Sequence, residues 1–224
     1  MQIVFVDVLY RNVDSVAGWS RNEMMLLMGA NFFVQQVFQA FLMVNLFNLP
    51  ELVRTGRLDF YLAQPMSPQF LVSTRLFEPG AVVNAVLGLA WCGHALQQMG
   101  RAPTWSGVGW FLLWSVCGVL VHYSLLLLIS TLSFWIVRSQ GLAYGYYQMF
   151  QLARLPRAAV HGVFRVVFTF ALPMLLVANV PAEALLGRPD YAAGLLLIGL
   201  AALLLLVASR FFAFGLARYS SASS

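Results

Sequence analysis

Five long apolar runs constrain the fold of this chain more than any other feature. They cover about residues 21–47, 80–98, 108–136, 164–180 and 192–214. A helix of roughly 20 apolar residues spans the hydrocarbon core of a bilayer, and the runs approach or exceed that length. We therefore predict an all-α, polytopic transmembrane bundle with about five spans, which forms one domain over the whole chain.

The composition excludes an ordinary soluble domain. Only 9% of the residues are charged and 61% are hydrophobic, whereas a soluble domain carries roughly a quarter charged residues. All the basic residues are arginines. A phosphate-binding loop needs a lysine, so any ATP must be bound by another chain, and we expect no cofactor in this one.

The arginines also indicate an orientation, because cytoplasmic loops are enriched in basic residues. With residues 48–79 in the cytoplasm, most arginines lie inside, the amino terminus lies outside and the carboxyl terminus inside. The inner arginines are then Arg54, Arg57, Arg75, Arg138, Arg154, Arg157, Arg165, Arg210 and Arg218. The outer ones are Arg11, Arg21, Arg101 and Arg188.

Two capping patterns predict where the first span and the next helix begin. Ser20 and Glu23 form an S-x-x-E capping box ahead of the first run. Asn48 and Glu51 resemble a second box around Pro50, so we predict that a short helix starts there.

Residues 48–79, between the first two runs, are the most polar part of the chain. Gly56 is placed to end the short helix, and Ser67-Pro68 restarts one in the usual cap-then-proline order. Arg75 and Glu78 can pair at i, i+3. The pattern is typical of interfacial helices joined by a stiff elbow, which either only anchors the bundle or also docks a soluble partner.

Two further segments carry weaker patterns. Residues 138–163 alternate polar and apolar faces and predict an interfacial helix, with Tyr144 and Tyr147 on the polar face and Leu142 on the apolar one. The stretch "VPAEALLGRP" either forms a short external hairpin with Glu183 at its start or is a plain loop.

Few polar residues interrupt the apolar runs. Asn31, Gln35 and Gln39 fall on one stripe at i, i+4, i+8, which suits a side facing protein or a substrate pathway. His122 either bonds between helices or lines such a pathway.

Missing features weigh against two other classes of function. We expect every acidic residue to lie in or beside a loop, which disfavours an ion-coupled secondary transporter. Three scattered histidines in no metal-binding spacing, and two cysteines in apolar runs, give no catalytic or metal set. Nucleic-acid binding is not needed to explain a net charge of +5 that topology accounts for.

The segment "RTGRLDFYLAQPMSPQFLVSTR" resembles the cytoplasmic segment of ABC-2 type ABC transporter permeases. The family pattern Gly-x-hydrophobic-Asp-x-x-Leu-x-x-Pro is matched by Gly56, Leu58, Asp59, Leu62 and Pro65. "GWSRNE", "SFWIVRSQGL", "FALPMLLVANVPAEALLGR" and "LARYSSASS" extend the resemblance in order along the chain. The family has six spans, so we expect the first of them to be absent from this sequence, either because the assigned start Met1 is too late or because the protein is a truncated relative.

The resemblance implies a permease subunit of an ATP-driven exporter in the cell membrane. A second permease chain, identical or different, would complete the pathway among membrane lipids, and a separate ABC ATPase would drive it. The ATPase contact would fall on Glu51, Arg54, Arg57 and Asp59, with Pro65 and Pro68 limiting flexibility. A structural subunit of a larger complex, or a secondary transporter, is the alternative.

Overall fold

A computed structural model of the chain describes residues 8, 10, 11, 13–136, 140–150 and 155–219. Nine helices follow one another in these residues. They are α1 (Arg21–Arg54), α2 (Leu58–Leu62), α3 (Pro68–Thr74), α4 (Pro79–Gln98), α5 (Trp105–Thr131), α6 (Gln140–Met149), α7 (Gly162–Ala171), α8 (Met174–Leu185) and α9 (Tyr191–Leu216).

Four helices are long and apolar enough to cross a membrane: α1, α4, α5 with its 3-10 extension Leu132–Phe134, and α9. A fifth crossing is possible if the bent pair α7 and α8 counts as one span. No β-sheet occurs in the part of the chain that the structure describes, which holds one isolated bridge, Val16 to Trp19. The predicted all-α polytopic bundle is confirmed.

Helix α1 begins as predicted but ends later. Both hydrogen bonds of the Ser20–Glu23 capping box are present. The helix then runs for 34 residues to Arg54, with a π-helical segment at Gln39–Met43. The predicted helix start at Asn48 is wrong, because α1 continues through Pro50 and Asn48 donates its side-chain amide to Val44 inside the helix.

Small residues bring α1 and α4 together. A Cβ atom on Gly88 would lie 3.1 Å from the backbone nitrogen of Phe33, and one on Gly29 would lie 2.9 Å from the Cys92 sulfur. Close approach of backbones at small residues is a common way to pack helices inside a membrane, where apolar burial alone favours no helix pair.

Helices α5 and α9 pack along each other. Each begins at a side-chain cap: Thr104 accepts from the Gly107 amide, and Asp190 accepts from the Ala193 amide, both at 3.0 Å. Near the start of α9, Gly194 lies against the Trp114 indole, where a Cβ would come within 2.3 Å of the ring.

The fourth apolar run is not one straight helix. Helices α7 and α8 meet at Leu172 and Pro173 with a bend of 80°, at a proline that has no amide hydrogen to donate. Every residue of α8 is buried, because the helix packs against α1 and α5. The stretch Val180–Leu185 is the end of this buried helix, so the predicted external hairpin starting at Glu183 is wrong.

Helix α6 also lies partly inside the bundle. Its buried residues are Ala143 and Tyr146, and Phe150 directly after it is also buried, whereas Leu142 is half exposed. The predicted apolar face through Leu142 is therefore not the face that packs into the bundle. Arg138 and Arg154 of that predicted helix lie outside the described residues, and its predicted extension to residue 163 is wrong, because residues 155–161 hold only the 3-10 helix Arg157–Ala159 and a separate helix starts at Gly162.

Two ends of the bundle follow from this arrangement. Residues 48–79, which we call the elbow segment, lie at one end of the bundle, which we call the elbow end. Helices α1, α5 and α9 all begin at the other end, which we call the opposite end.

Candidate functional site

The elbow segment turns sharply where α1 ends. Gly56 has a φ of +69°, a conformation that glycine adopts without the strain a side chain would cause. Its amide donates to the Val53 carbonyl at 3.3 Å. Gly56 therefore ends the preceding helix as predicted, and α2 begins two residues later.

Buried apolar side chains hold the elbow segment against the bundle. Leu52, Leu58 and Val72 are each at most 3% exposed. They come from the end of α1, from α2 and from α3, so each short helix has its own anchor.

Asn45 fastens the end of the elbow segment to α1. Its side-chain amide donates to the Leu76 carbonyl, and its Oδ1 accepts from the Leu76 amide, both at 2.8 Å. Asn45 is fully buried. The amide side chain thus satisfies backbone groups that have no helical partner at this point.

Helix α3 is joined to α5 and α9. Gln69 donates to the Tyr123 hydroxyl and to Ser209 Oγ, both at 3.0 Å. Ser73 and Tyr123 also share a hydrogen bond of 3.0 Å. These bonds link α3 to two of the long helices.

The predicted partner contacts occupy different positions in this framework. Arg54 makes a two-point pair with Glu51, with distances of 3.0 and 2.7 Å, and both side chains are well exposed. Arg57 and Pro65 are exposed, whereas Asp59 and Pro68 are half buried. Pro68 starts α3 after Ser67, as predicted, but the Ser67 side chain makes no capping bond.

Arg75 and Glu78 have other partners than each other. Arg75 donates to the Tyr61 hydroxyl at 2.9 Å, while Glu78 accepts from Gln39 at 3.2 and 3.3 Å. The predicted Arg75–Glu78 pair is wrong because α3 ends at Thr74, which leaves these residues outside any common helix.

The polar stripe of α1 runs from the core to the elbow end. Asn31 and Gln35 are buried and Gln39 is half buried. Gln39 also accepts from Gln36 at 3.4 Å. The stripe therefore leads from buried amides to the Glu78 carboxylate.

His122 joins two helices inside the bundle. Its Nδ1 lies 2.5 Å from the Tyr146 hydroxyl of α6, and its ring stands edge-on to Phe150 with centroids 4.0 Å apart. This contact places α6 against the middle of α5.

A charge cluster closes the opposite end. Arg157 pairs with Glu183 at 3.0 Å and with Asp190 at 2.7 Å. The Glu183 side chain is only 10% exposed. The pKa of Asp190 lies below its ordinary value because the Ala193 amide, and after it Arg157, stabilise the carboxylate.

A second ion pair extends this cluster to the start of α1. Arg188 lies 3.3 Å from Glu23 and stacks over the Trp19 ring at 4.8 Å. These contacts put Arg157 at the opposite end, whereas the orientation argument counted it with the elbow end. That assignment of Arg157 is wrong, whereas Glu183 lies inside α8 but within its last turn, next to the loop that follows.

Comparison with known families decides the class of the protein. The family described as ABC-2 family transporter protein matches residues 1–223. The chain belongs to the ABC-2 transporter family. No curated protein and no solved structure matches it.

Family membership and the apolar helices make this ABC-2 chain a multi-pass membrane permease component of an ABC transporter. Permeases of the ABC-2 family are membrane subunits that are not themselves catalytic. The coarse part of the sequence-based interpretation is thereby confirmed.

Sequence reasoning overlooked two of the exposed apolar side chains in the elbow segment of the ABC-2 chain. Phe60 is 69% exposed and Met66 is 50% exposed. The spacing carried a usable signal, because Leu58 and Leu62 share one face of α2 and Phe60 must therefore point elsewhere.

Proposed function

We propose that this chain is the permease subunit of an ATP-driven exporter in the cell membrane, and that a separate ABC ATPase drives it through the elbow segment. A second permease chain completes the substrate pathway. One observation carries the proposal: the elbow segment is fastened to the bundle by buried groups and yet presents an exposed surface of charged and apolar side chains.

The fastening supports transmission of movement. A surface loop that moved freely would absorb displacement without passing it on. Here the Asn45–Leu76 bonds hold one end of the elbow segment, and the Gln69 bonds reach α5 and α9. Movement of the elbow segment therefore reaches three of the long helices.

The exposed surface supports docking of a protein. Phe60 and Met66 are large, exposed apolar side chains, and Arg54 and Arg57 stand near them in sequence and are exposed too. Interfaces commonly combine apolar or aromatic anchors with a charged rim. We expect Phe60 to fill a pocket of the ATPase and the arginines to meet acidic groups around it.

Co-purification with a co-expressed ABC ATPase tests this proposal. In Arg54→Glu/Arg57→Glu, we expect retention of the ATPase to fall at least about tenfold, since like charges then face the acidic rim. The matched control is Arg11→Glu/Arg101→Glu, which reverses two exposed arginines outside the elbow segment and should retain the ATPase like the wild type.

Two results would contradict the proposal. Equal retention of the ATPase by both double variants would show that the elbow segment is not the docking surface. An ATPase that binds the wild type but hydrolyses ATP at a rate unaffected by it would instead favour a structural subunit of a larger complex.

A further inference from the structure

A cavity of about 420 Å³ opens at the elbow end between α1, the start of α4 and α6. Its wall includes one carboxylate, Glu78, and three aromatic rings, those of Phe47, Tyr144 and Tyr147. Neither the docking surface nor the charge cluster at the opposite end uses these four side chains.

The Glu78 carboxylate is directed away from its own helix. Glu78 occupies the N-cap position of α4, but its side chain makes no capping hydrogen bond. Both carboxylate oxygens instead share the Gln39 amide nitrogen at 3.2 and 3.3 Å, which is long for a charged acceptor. None of the ion pairs among the described residues includes Glu78.

The backbone fixes this carboxylate at the wall. The Glu78 amide donates to the Ala40 carbonyl at 3.0 Å, and Ala40 lies in the π-helical segment Gln39–Met43. Segments of π-helix often occur at functional sites. Both Gln39 and Glu78 are thus positioned by the same irregular turn of α1.

The aromatic side chains complete a surface suited to a positive charge. The rings of Phe47 and Tyr144 meet edge-on with centroids 5.2 Å apart, and Tyr144 is 62% exposed. The faces of aromatic rings attract cations, and the Glu78 carboxylate adds a full negative charge. No arginine lines the described wall of the cavity.

We propose that this cavity binds organic cations, that is, ligands with an ammonium, quaternary ammonium or phosphonium centre on an apolar body. Glu78 is the counter-ion, and Phe47, Tyr144 and Tyr147 surround the positive centre. The inference names a substrate class for the pathway and in that sense rests on the proposed function, but binding itself requires no ATPase. The cation comes either from a soluble compound or from a lipid with an ammonium headgroup.

Tetraphenylphosphonium and tetraphenylborate form the probe pair, because they share size and shape and differ in the sign of their charge. Equilibrium dialysis measures their binding to the full chain in nanodiscs of phosphatidylglycerol, with empty nanodiscs subtracted. We expect saturable binding of the phosphonium. We expect no saturable binding of the borate.

Glu78→Gln should weaken phosphonium binding at least about tenfold, because the neutral amide removes the attraction between opposite charges. Tyr144→Leu should weaken it about twofold to fivefold, the usual size of a cation–π contact, whereas Tyr144→Phe keeps the ring and the affinity. The control is Asp14→Asn, which neutralises an exposed carboxylate outside the cavity and should bind like the wild type.

Equal affinities of Glu78→Gln and the wild type, with equal melting temperatures, would overturn the proposal, as would saturable binding of the borate at the same site. If Glu78→Gln does not fold, the Tyr144→Leu and Tyr144→Phe pair decides, and equal affinities of those two overturn it. Adding phosphatidylethanolamine to the nanodiscs distinguishes the two sources of the cation. If this lipid competes with the phosphonium, the natural ligand is a lipid headgroup. If it does not compete, the natural ligand is a soluble cation.

The two proposals fail in different ways. Arg54→Glu/Arg57→Glu should lose the ATPase and keep phosphonium binding. Wild-type protein that binds the phosphonium but never associates with the ATPase would overturn the proposed coupling and leave the cation site standing.

Discussion

The two ends of the bundle place their charges in opposite ways. At the elbow end, Arg54 and Glu51 pair on the surface, with 57% and 44% of their side chains exposed. At the opposite end, Arg157 and Glu183 pair with only 26% and 10% exposed. Surface pairs contribute roughly 0–1 kcal/mol to stability, whereas removing one partner of a buried pair is strongly destabilising.

This difference separates two roles for charge in one protein. The opposite end uses ion pairs to connect α8, the start of α9 and the turn at Arg157. The elbow end is held by buried amides and apolar anchors instead, so the exposed side chains of Arg54 and Arg57 are accessible to a partner. Depth of burial, and not the presence of charge, is what distinguishes the two ends.

The largest expected effect comes from Arg157→Leu, which leaves Glu183 buried without its guanidinium. We expect a loss of about 3 kcal/mol in the free energy of unfolding, the low end for a broken buried pair because Arg157 is partly exposed. Thermal unfolding in detergent measures it. Adding Glu183→Gln to this variant should restore part of the loss, and an unchanged melting temperature in Arg157→Leu would contradict the comparison.

A smaller loss is expected for Asn45→Ala at the elbow end. The change leaves the Leu76 amide and carbonyl without partners, which costs about 1–3 kcal/mol. Faster proteolysis within the elbow segment should accompany the lower melting temperature. Asn48→Ala removes an amide that bonds only within α1 and serves as the control; equal effects of the two variants would show that Asn45 does not fasten the segment.

The smallest effect concerns Asp190, and it depends on pH. Asparagine caps a helix about as well as aspartate, so Asp190→Asn removes the charge and keeps the cap. Because the folded pKa of Asp190 is lowered, its stabilisation is complete above about pH 5 and disappears as the pH falls below 3.8. The wild type should therefore melt above Asp190→Asn at neutral pH and together with it in acid; a constant difference would refute a role for the charge.

Local signals in the sequence were read correctly where neighbouring residues satisfy them. The Ser20–Glu23 capping box, the helix end at Gly56 and the helix start at Pro68 all depend on residues within one turn. The predicted helix starts and side-chain pairs were wrong where groups distant in sequence compete for the same residues. Asn48 lies inside a helix that tertiary packing extends past Pro50, and Glu78 bonds Gln39, which is remote in sequence.

The candidate site shows the same division between features that the local sequence predicts and contacts that depend on distant partners. The exposed positions of Arg54 and Arg57 followed from the charge pattern of the elbow segment. Asn45 and Gln69 were not recognised as its fastenings, because a polar side chain in an apolar run does not reveal which distant backbone or hydroxyl group it meets.

The sequence by itself determined that this chain is a membrane-spanning helical bundle, because a helix satisfies the backbone hydrogen bonds of a long apolar run inside a bilayer. Only the tertiary structure decided that Glu183 is buried against Arg157, that the fourth run bends at Pro173, and that Glu78 faces a cavity beside Tyr144. The reason is physical: hydropathy sets which solvent a segment prefers, whereas the partner of each buried polar group depends on which helices pack together.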